Sequence, residues 1–365
     1  MVNQAFYSIR KTKDLQLIKL GEDVIVFGIN VYTNEIIQKF NVIQVIDDFY
    51  DKDFFNEIPV IRLADVNSFL PIINCAGGQI NKTQLLLSQV SDNFFHYAEL
   101  QKCYSSDLRE LIFNEGFEAC YNNNINRFNN IYSLLSDQES RKIWRNIVSF
   151  RITQRLEYLE SFENLVSEQY FESFIPKLQE QVFFDVGAYD GETSLKFQEW
   201  TNGLGKIFYF EPNKTNFENC KIALSEATNC RGFNLGLANF NGTAYISDAR
   251  DTSGLSMNAS DMPVNCMTMD TFCSQEIVPT FVKIDVEGFE LSVLEGMERL
   301  IKNESPTIAI SIYHKPEHFF EIPEYILSLN SSYSVYVRHY TESIYETVMF
   351  FIPADKRHQE VECIK

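Results

Sequence analysis

The sequence has no apolar run approaching the roughly 18 residues that a spanning helix needs, and stretches such as Val24 to Phe27 are strand-sized. No membrane span is expected. None of the eight cysteines, at 75, 103, 120, 220, 230, 266, 273 and 363, forms a CxxC pair, and no Cys/His cluster has structural-zinc spacing, so no metal is expected. The opening Met1-Val-Asn-Gln-Ala-Phe-Tyr-Ser-Ile-Arg10 lacks the apolar stretch and cleavage site of a secretory leader. Free thiols in a reducing cytoplasm are therefore expected. Basic residues are also scarce: 31 Lys and Arg stand against 50 Asp and Glu, for a net charge of −19. Such a balance opposes counterion-release binding to nucleic acid, so no nucleic-acid partner is expected.

What is present is enough for a sizeable core. The 365 residues are 45% hydrophobic and 22% charged, an ordinary globular balance at a length that favours more than one domain. Residues 1–90 read as a small Rossmann-like α/β domain, with strands over Asp23–Gly28, Val42–Asp47 and Pro71–Ala76 and a helix over Glu35–Phe40. Residues 91–176 read as a helical connector from apolar positions three to four apart, such as Ile143, Ile147 and Phe150, with an asparagine-rich loop over Asn123–Asn130. Residues 177–365 return to alternating strands and helices. Strands are expected at Val182–Val186, Ile207–Phe210, Phe281–Asp285 and Thr307–Ile312, followed by a hairpin of Ser334–His339 and Glu346–Ile352. A mostly parallel sheet that closes with an antiparallel pair is the class I methyltransferase arrangement; a plain dinucleotide-binding fold lacks that ending.

Three motifs carry chemistry. Asp185-Val-Gly-Ala-Tyr-Asp-Gly191 follows an apolar strand and precedes a helix, so Gly187 and Gly191 let the backbone turn sharply toward a ligand at a helix N-terminus. Glu211 ends the next strand, 24 positions after Gly187, where a carboxylate can accept two ribose hydroxyls. Phe281-Val-Lys-Ile-Asp-Val-Glu-Gly-Phe-Glu290 gathers Asp285, Glu287 and Glu290 around a strand end and the following helix start. The macrodipole accounts for Glu290 but not for an aspartate ending an apolar strand.

Taken in order with the segments at 252–256, 264–270 and 294–301, these motifs resemble the FkbM family of S-adenosylmethionine-dependent O-methyltransferases. The resemblance implies S-adenosyl-L-methionine as cofactor and O-methylation of a sugar, glycan or related metabolite. It places Asp185, Gly187, Tyr189, Asp190, Gly191, Glu211 and Asp285 around the cofactor, with Ser253 and Ser256 closing over it. A nearby carboxylate, Asp285 or Asp185, would favour the positive sulfonium. Candidates for the base that takes the acceptor's proton are Asp285, His314 and Glu287, with Asp285 and His314 foremost because both sit at carboxyl ends of expected strands.

The N-terminal domain stays open. Val26-Phe-Gly-Ile-Asn-Val-Tyr-Thr33 keeps the first glycine of a dinucleotide fingerprint and has Asn30 and Thr33 in the other two places, with Asp47 at about the right distance. Two other readings follow: a nucleotide-sugar or partner-binding protein with an idle cofactor fold, or an NAD-dependent oxidoreductase using this first unit. An oligomer is left open.

Overall fold

A computed structural model describes residues 18–178, 180–227, 229–246, 255–256, 262–273 and 277–354. The chain divides into two compact units: residues 1–119, 144–165 and 340–345 form the first, and 120–143, 166–339 and 346–365 the second.

In the first unit, β1 (Asp23–Phe27), α1 (Val31–Lys39), β2 (Asn41–Ile46), β3 (Phe54–Phe55), β4 (Ile58–Ile61), β5 (Ile72–Asn74), α2 (Ile80–Leu87), β6 (Phe94–His96) and α3 (Tyr97–Cys103) follow in order. The sheet order is β3-β4-β2-β1-β5-β6, with every pair parallel except β3 and β4. Val24, Ile25, Val26, Ile72 and Ile73 are fully buried, as expected for strands covered on both faces. Helix α1 starts four residues earlier than the apolar pattern predicts. Asn30 explains this, because its side chain accepts from the N–H groups of Tyr32 and Thr33 while the Thr33 hydroxyl accepts from the Asn30 N–H, a complete capping box.

Two long helices follow, α4 (Phe117–Leu134) and α5 (Gln138–Thr153). Here the structure differs from the reading in two ways. Asn123–Asn130 is helical rather than a loop, broken locally at Asn124, because Tyr121, Phe128 and Ile131 bury one face at helical spacing and outweigh the poor helix propensity of asparagine. The span 91–176 is also not a body of its own: residues 138–143 of α5 belong to one compact unit and 144–153 to the other.

The second unit contains β7 (Val182–Val186), α6 (Glu192–Trp200), β8 (Lys206–Phe210), α7 (Lys214–Ala223) and β9 (Cys230–Phe233). After these come β10 (Gly236–Leu237), β11 (Gly242–Ile246), β12 (Leu255–Ser256), β13 (Met262–Met267) and α8 (Met269–Cys273). The unit closes with β14 (Phe281–Ile284), α9 (Glu290–Glu295), α10 (Glu298–Asn303), β15 (Thr307–Ser311), α11 (His318–Leu329), β16 (Ser334–His339) and β17 (Thr347–Ile352). Its seven-stranded sheet runs β16-β17-β15-β14-β7-β8-β9. β17 is antiparallel to both neighbours and every other pair is parallel, as the expected closing hairpin requires. Phe183, Phe197 and Phe281 anchor the core under this sheet, Phe183 and Phe197 stacking with ring centres 4.5 Å apart. Strand β7 meets β8 on one side and β14 on the other, so the carboxyl ends of these three strands converge where an open α/β sheet places its ligand.

Candidate active site

The turn after β7 is shaped by one close approach. Gly187 has φ +81°, and a Cβ there would stand 1.9 Å from the Asp285 carbonyl oxygen. No side chain fits, so the two strand ends can touch only through glycine. Asp185, fully buried at the end of β7, accepts a hydrogen bond from Ser194 Oγ at 2.8 Å and an ion pair from Lys283 Nζ at 3.1 Å. Lys283 then donates to the Gly187 carbonyl at 2.6 Å. Burial alone would lower the Lys283 pKa, but the Asp185 and Asp285 carboxylates raise it, so the ammonium stays charged and pins the turn.

Beyond the turn, Gly191 at φ +86° starts α6 with no side chain to cap it; Asp190 instead accepts from the Glu192 N–H at 3.0 Å. Glu211, 6% exposed just after β8, accepts from the Tyr189 N–H at 2.9 Å and the Asn213 N–H at 2.8 Å. Burial lifts its pKa to about 6 against the lowering effect of those two donors. Four lone-pair sites less two leave acceptor capacity for a pair of hydroxyls.

These groups border a cavity of about 390 Å³, walled on the other side by Asp285, Glu287, Tyr313 and Glu346. Asp285 follows β14 and accepts from the Tyr170 hydroxyl at 2.9 Å. Behind it, His314 Nδ1 lies 2.8 Å from Glu290 Oε1, and His318 Nδ1 lies 3.2 Å from Glu290 Oε2. Burial would raise the Glu290 carboxyl, yet His314 and His318 hold it well below the usual range. Burial would likewise depress His314, but the carboxylates of Glu290, Asp285 and Glu287 push it up to about 9.

Residues 185–333 match the family model described as the methyltransferase FkbM domain. The chain contains a methyltransferase FkbM domain. S-adenosylmethionine is the cofactor of that assignment, and the Gly187 turn with Glu211 fits it: a close backbone approach beside a buried carboxylate with acceptor sites to spare. Across nearly the whole chain the fold is that of a methyltransferase FkbM from Methylobacillus flagellatus KT, at 20% identity and a TM-score of 0.72, covering 90% of this chain and 89% of that one. A partial likeness, TM-score 0.34, links the chain to a precorrin-6y C5,15-methyltransferase from Geobacter metallireducens GS-15, with 14% identity over 53% of this chain and 93% of that one. No curated protein sequence matches the chain.

Within the methyltransferase domain, Tyr189, Asp190, Gly187, Glu211, Asp285 and Glu287 all line the cavity. Asp185 and Gly191 stand behind it, Asp185 acting through Lys283 on the turn rather than facing a sulfonium. His314 is set back too, and a group already protonated at neutral pH is a poor general base; its three carboxylate neighbours are the physical reason. Ser253 lies outside the described residues, and of Ser256 only the backbone is described, in β12 paired with β11.

Four lining or supporting groups escaped the sequence reading in these roles: Lys283, Tyr170, Tyr313 and Glu346. Glu346 sits at φ +60° just before β17 and takes hydrogen bonds from Gln169 Nε2 at 2.6 Å and the Tyr313 hydroxyl at 3.2 Å. Burial, with the Asp285 charge adding to it, lifts its pKa to about 7. The one sequence signal was a carboxylate at the carboxyl side of the hairpin connection, read there as the start of a strand.

Proposed function

We propose that the protein transfers the methyl group of S-adenosylmethionine to a hydroxyl of a neutral sugar or glycan, in the cytoplasm. The cofactor supplies an electrophilic methyl carbon on a positively charged sulfur. Glu211 holds the ribose through its two remaining acceptor sites, and the Gly187 turn carries the chain past the methionine part. Asp285 and Glu287 give the transfer end of the cavity the negative charge that favours a sulfonium.

The observation that carries the reading is Glu346, a buried carboxyl on the cavity wall whose pKa of about 7 suits a base working at neutral pH. The acceptor oxygen forms its bond to the methyl carbon as the carbon–sulfur bond breaks, and Glu346 takes the hydroxyl proton. Proximity and in-line alignment account for much of the remaining acceleration.

The same charges speak for a neutral acceptor. Asp285, Glu287 and Glu346 line the cavity, while the ammonium of Lys283 is already matched by Asp185. A phosphorylated acceptor would meet anions.

The test is mass spectrometry after the full chain is incubated with methyl-labelled cofactor and parallel panels of neutral glycans and nucleotide sugars. Label on a hydroxyl of a neutral glycan is expected. Label confined to phosphorylated compounds would overturn the acceptor class, and S-adenosylhomocysteine binding without transfer to any panel would favour the idle-fold reading. On a proven acceptor, Glu346→Gln should lower turnover by roughly 10²–10⁴-fold at unchanged cofactor affinity.

A further inference from the structure

His314 Nε2 lies 3.6 Å from Asp285 Oδ1 and 3.4 Å from Glu287 Oε2. Hydrogen bonds between charged partners settle at roughly 2.7–2.9 Å, so both separations are long for well-made bonds. They match a different geometry. Two ligand atoms each about 2.1 Å from one ion, at the tetrahedral angle, stand roughly 3.4 Å apart.

The surroundings fit as well. The other imidazole nitrogen, Nδ1, is anchored 2.8 Å from Glu290 Oε1, and Glu290 is itself fully buried and accepts from the N–H groups of Val286 and Gly288. The second oxygen of Asp285 is held by the Tyr170 hydroxyl at 2.9 Å. Such outer contacts fix the tautomer of a metal-bound histidine and orient a metal-bound carboxylate. Asp285 and Glu287 also line the cavity, which leaves the remaining side of this corner open to a small molecule.

We propose that Asp285, Glu287 and His314 bind a divalent cation, with a further coordination position facing the cavity. One imidazole nitrogen with two carboxylate oxygens suits manganese or zinc better than calcium or magnesium, which prefer all-oxygen shells. This departs from the expectation of no metal, which rested on spacing patterns along the chain. The three ligands come from two strand ends, and two of them are only two residues apart. The site's use, to polarise the acceptor hydroxyl, rests on the methyl-transfer reading; the binding does not.

The experiment uses the full chain, stripped with chelator and titrated with Mn²⁺ alone under electron paramagnetic resonance, with S-adenosylhomocysteine affinity measured by calorimetry on the same preparation. One saturable Mn²⁺ per chain is expected, displaced by Zn²⁺ and showing hyperfine coupling to an imidazole nitrogen that is lost in His314→Gln. Glu290→Gln should weaken Mn²⁺ by roughly 10–100-fold. Glu287→Gln, a change at a half-exposed side chain, should weaken it too and remains informative if the buried variants fail to fold. No saturable binding up to about 1 mM, a range that would mean an affinity too weak to matter, overturns the proposal. Binding without nitrogen coupling, or binding unchanged in Glu287→Gln, does the same. If S-adenosylhomocysteine binds and Mn²⁺ does not, the metal site falls and the cofactor reading stands; the reverse result separates them the other way.

Discussion

Both units place a glycine-bearing turn between a first parallel strand and a helix, and both put an acid after the second strand. In the N-terminal unit the turn is filled from within: Asn30 caps α1 with its own side chain and also donates to the Cys75 carbonyl at 2.7 Å. Asp47 there accepts from three backbone N–H groups, those of Ile29, Phe49 and Tyr50. In the methyltransferase domain Gly191 brings no cap, and Glu211 accepts from two N–H groups and borders a cavity. A fingerprint glycine therefore does not make a site. What makes one is a set of donors and acceptors that the protein leaves for a ligand, and this contrast speaks against an NAD site at the N-terminal turn.

The sharpest way to break the comparison is to add the same methyl group to each turn. Gly187→Ala must displace the Asp285 carbonyl besides straining a left-handed residue, so a loss of about 3 kcal/mol or more in denaturant unfolding is expected, together with loss of S-adenosylhomocysteine binding. Gly28→Ala shares the positive φ, but its Cβ meets nothing nearer than the Ala76 nitrogen at 3.7 Å, so strain alone should cost about 1–2 kcal/mol. Equal losses would mean that the close approach is not what Gly187 provides.

The two acids give the next contrast. Glu211→Ala should weaken S-adenosylhomocysteine by about 1–3 kcal/mol in calorimetry, because two hydroxyls lose a charged acceptor. Asp47→Ala should leave that affinity unchanged while lowering stability, since three backbone donors lose their partner. Any change in cofactor affinity in the Asp47 variant would undo the separation of roles.

Acid should expose the same difference without mutation. The folded Glu211 carboxyl has its pKa raised by burial to about 6, so below that pH it is protonated in the free protein. Ribose hydroxyls favour the carboxylate, so binding must then expel a proton, and S-adenosylhomocysteine affinity should fall as pH drops from 7 through 6, by up to about tenfold per pH unit. For stability the sign is opposite. A raised carboxyl contributes stability below its unfolded value near 4.5 that is lost as pH rises through about 6, so Glu211→Gln should stabilise the ligand-free protein more at pH 8 than at pH 4. The smallest effect belongs to the cap: Asn30→Ala should cost about 1 kcal/mol in thermal unfolding and create no affinity for NAD.

Much of this was legible in the sequence. The strand Val182–Val186 was read to the residue, the antiparallel closing pair was foreseen, and the segments holding Gly187, Glu211 and Asp285 do meet at one cavity. These features are local, fixed by β-branched and aromatic runs and by a glycine turn. The misreadings are long-range. Nothing near Asp185 in sequence says that Lys283, 98 residues on, neutralises it, and nothing near His314 says that Glu290 and Asp285 will make it a cation. Glu346 was invisible as a site residue because its place depends on where β17 inserts. Short strands such as Phe54–Phe55 and Phe94–His96 carry too few residues for a periodic signal.

That insertion has a consequence for how the chain is made. β17 lies between β15 and β16, so the ribosome delivers residues 347–352 after every other strand of the sheet, although they belong in its interior. Until then β15, whose five residues are all buried in the finished protein, has one open flank. A nascent chain in that state exposes a sticky strand edge, which favours chaperone engagement and penalises premature release. Because Glu346 immediately precedes the same strand, a chain stopped before this point lacks both the closing strand and the carboxyl beside the transfer end. Completion of the fold and arrival of the chemistry are thus a single event in synthesis.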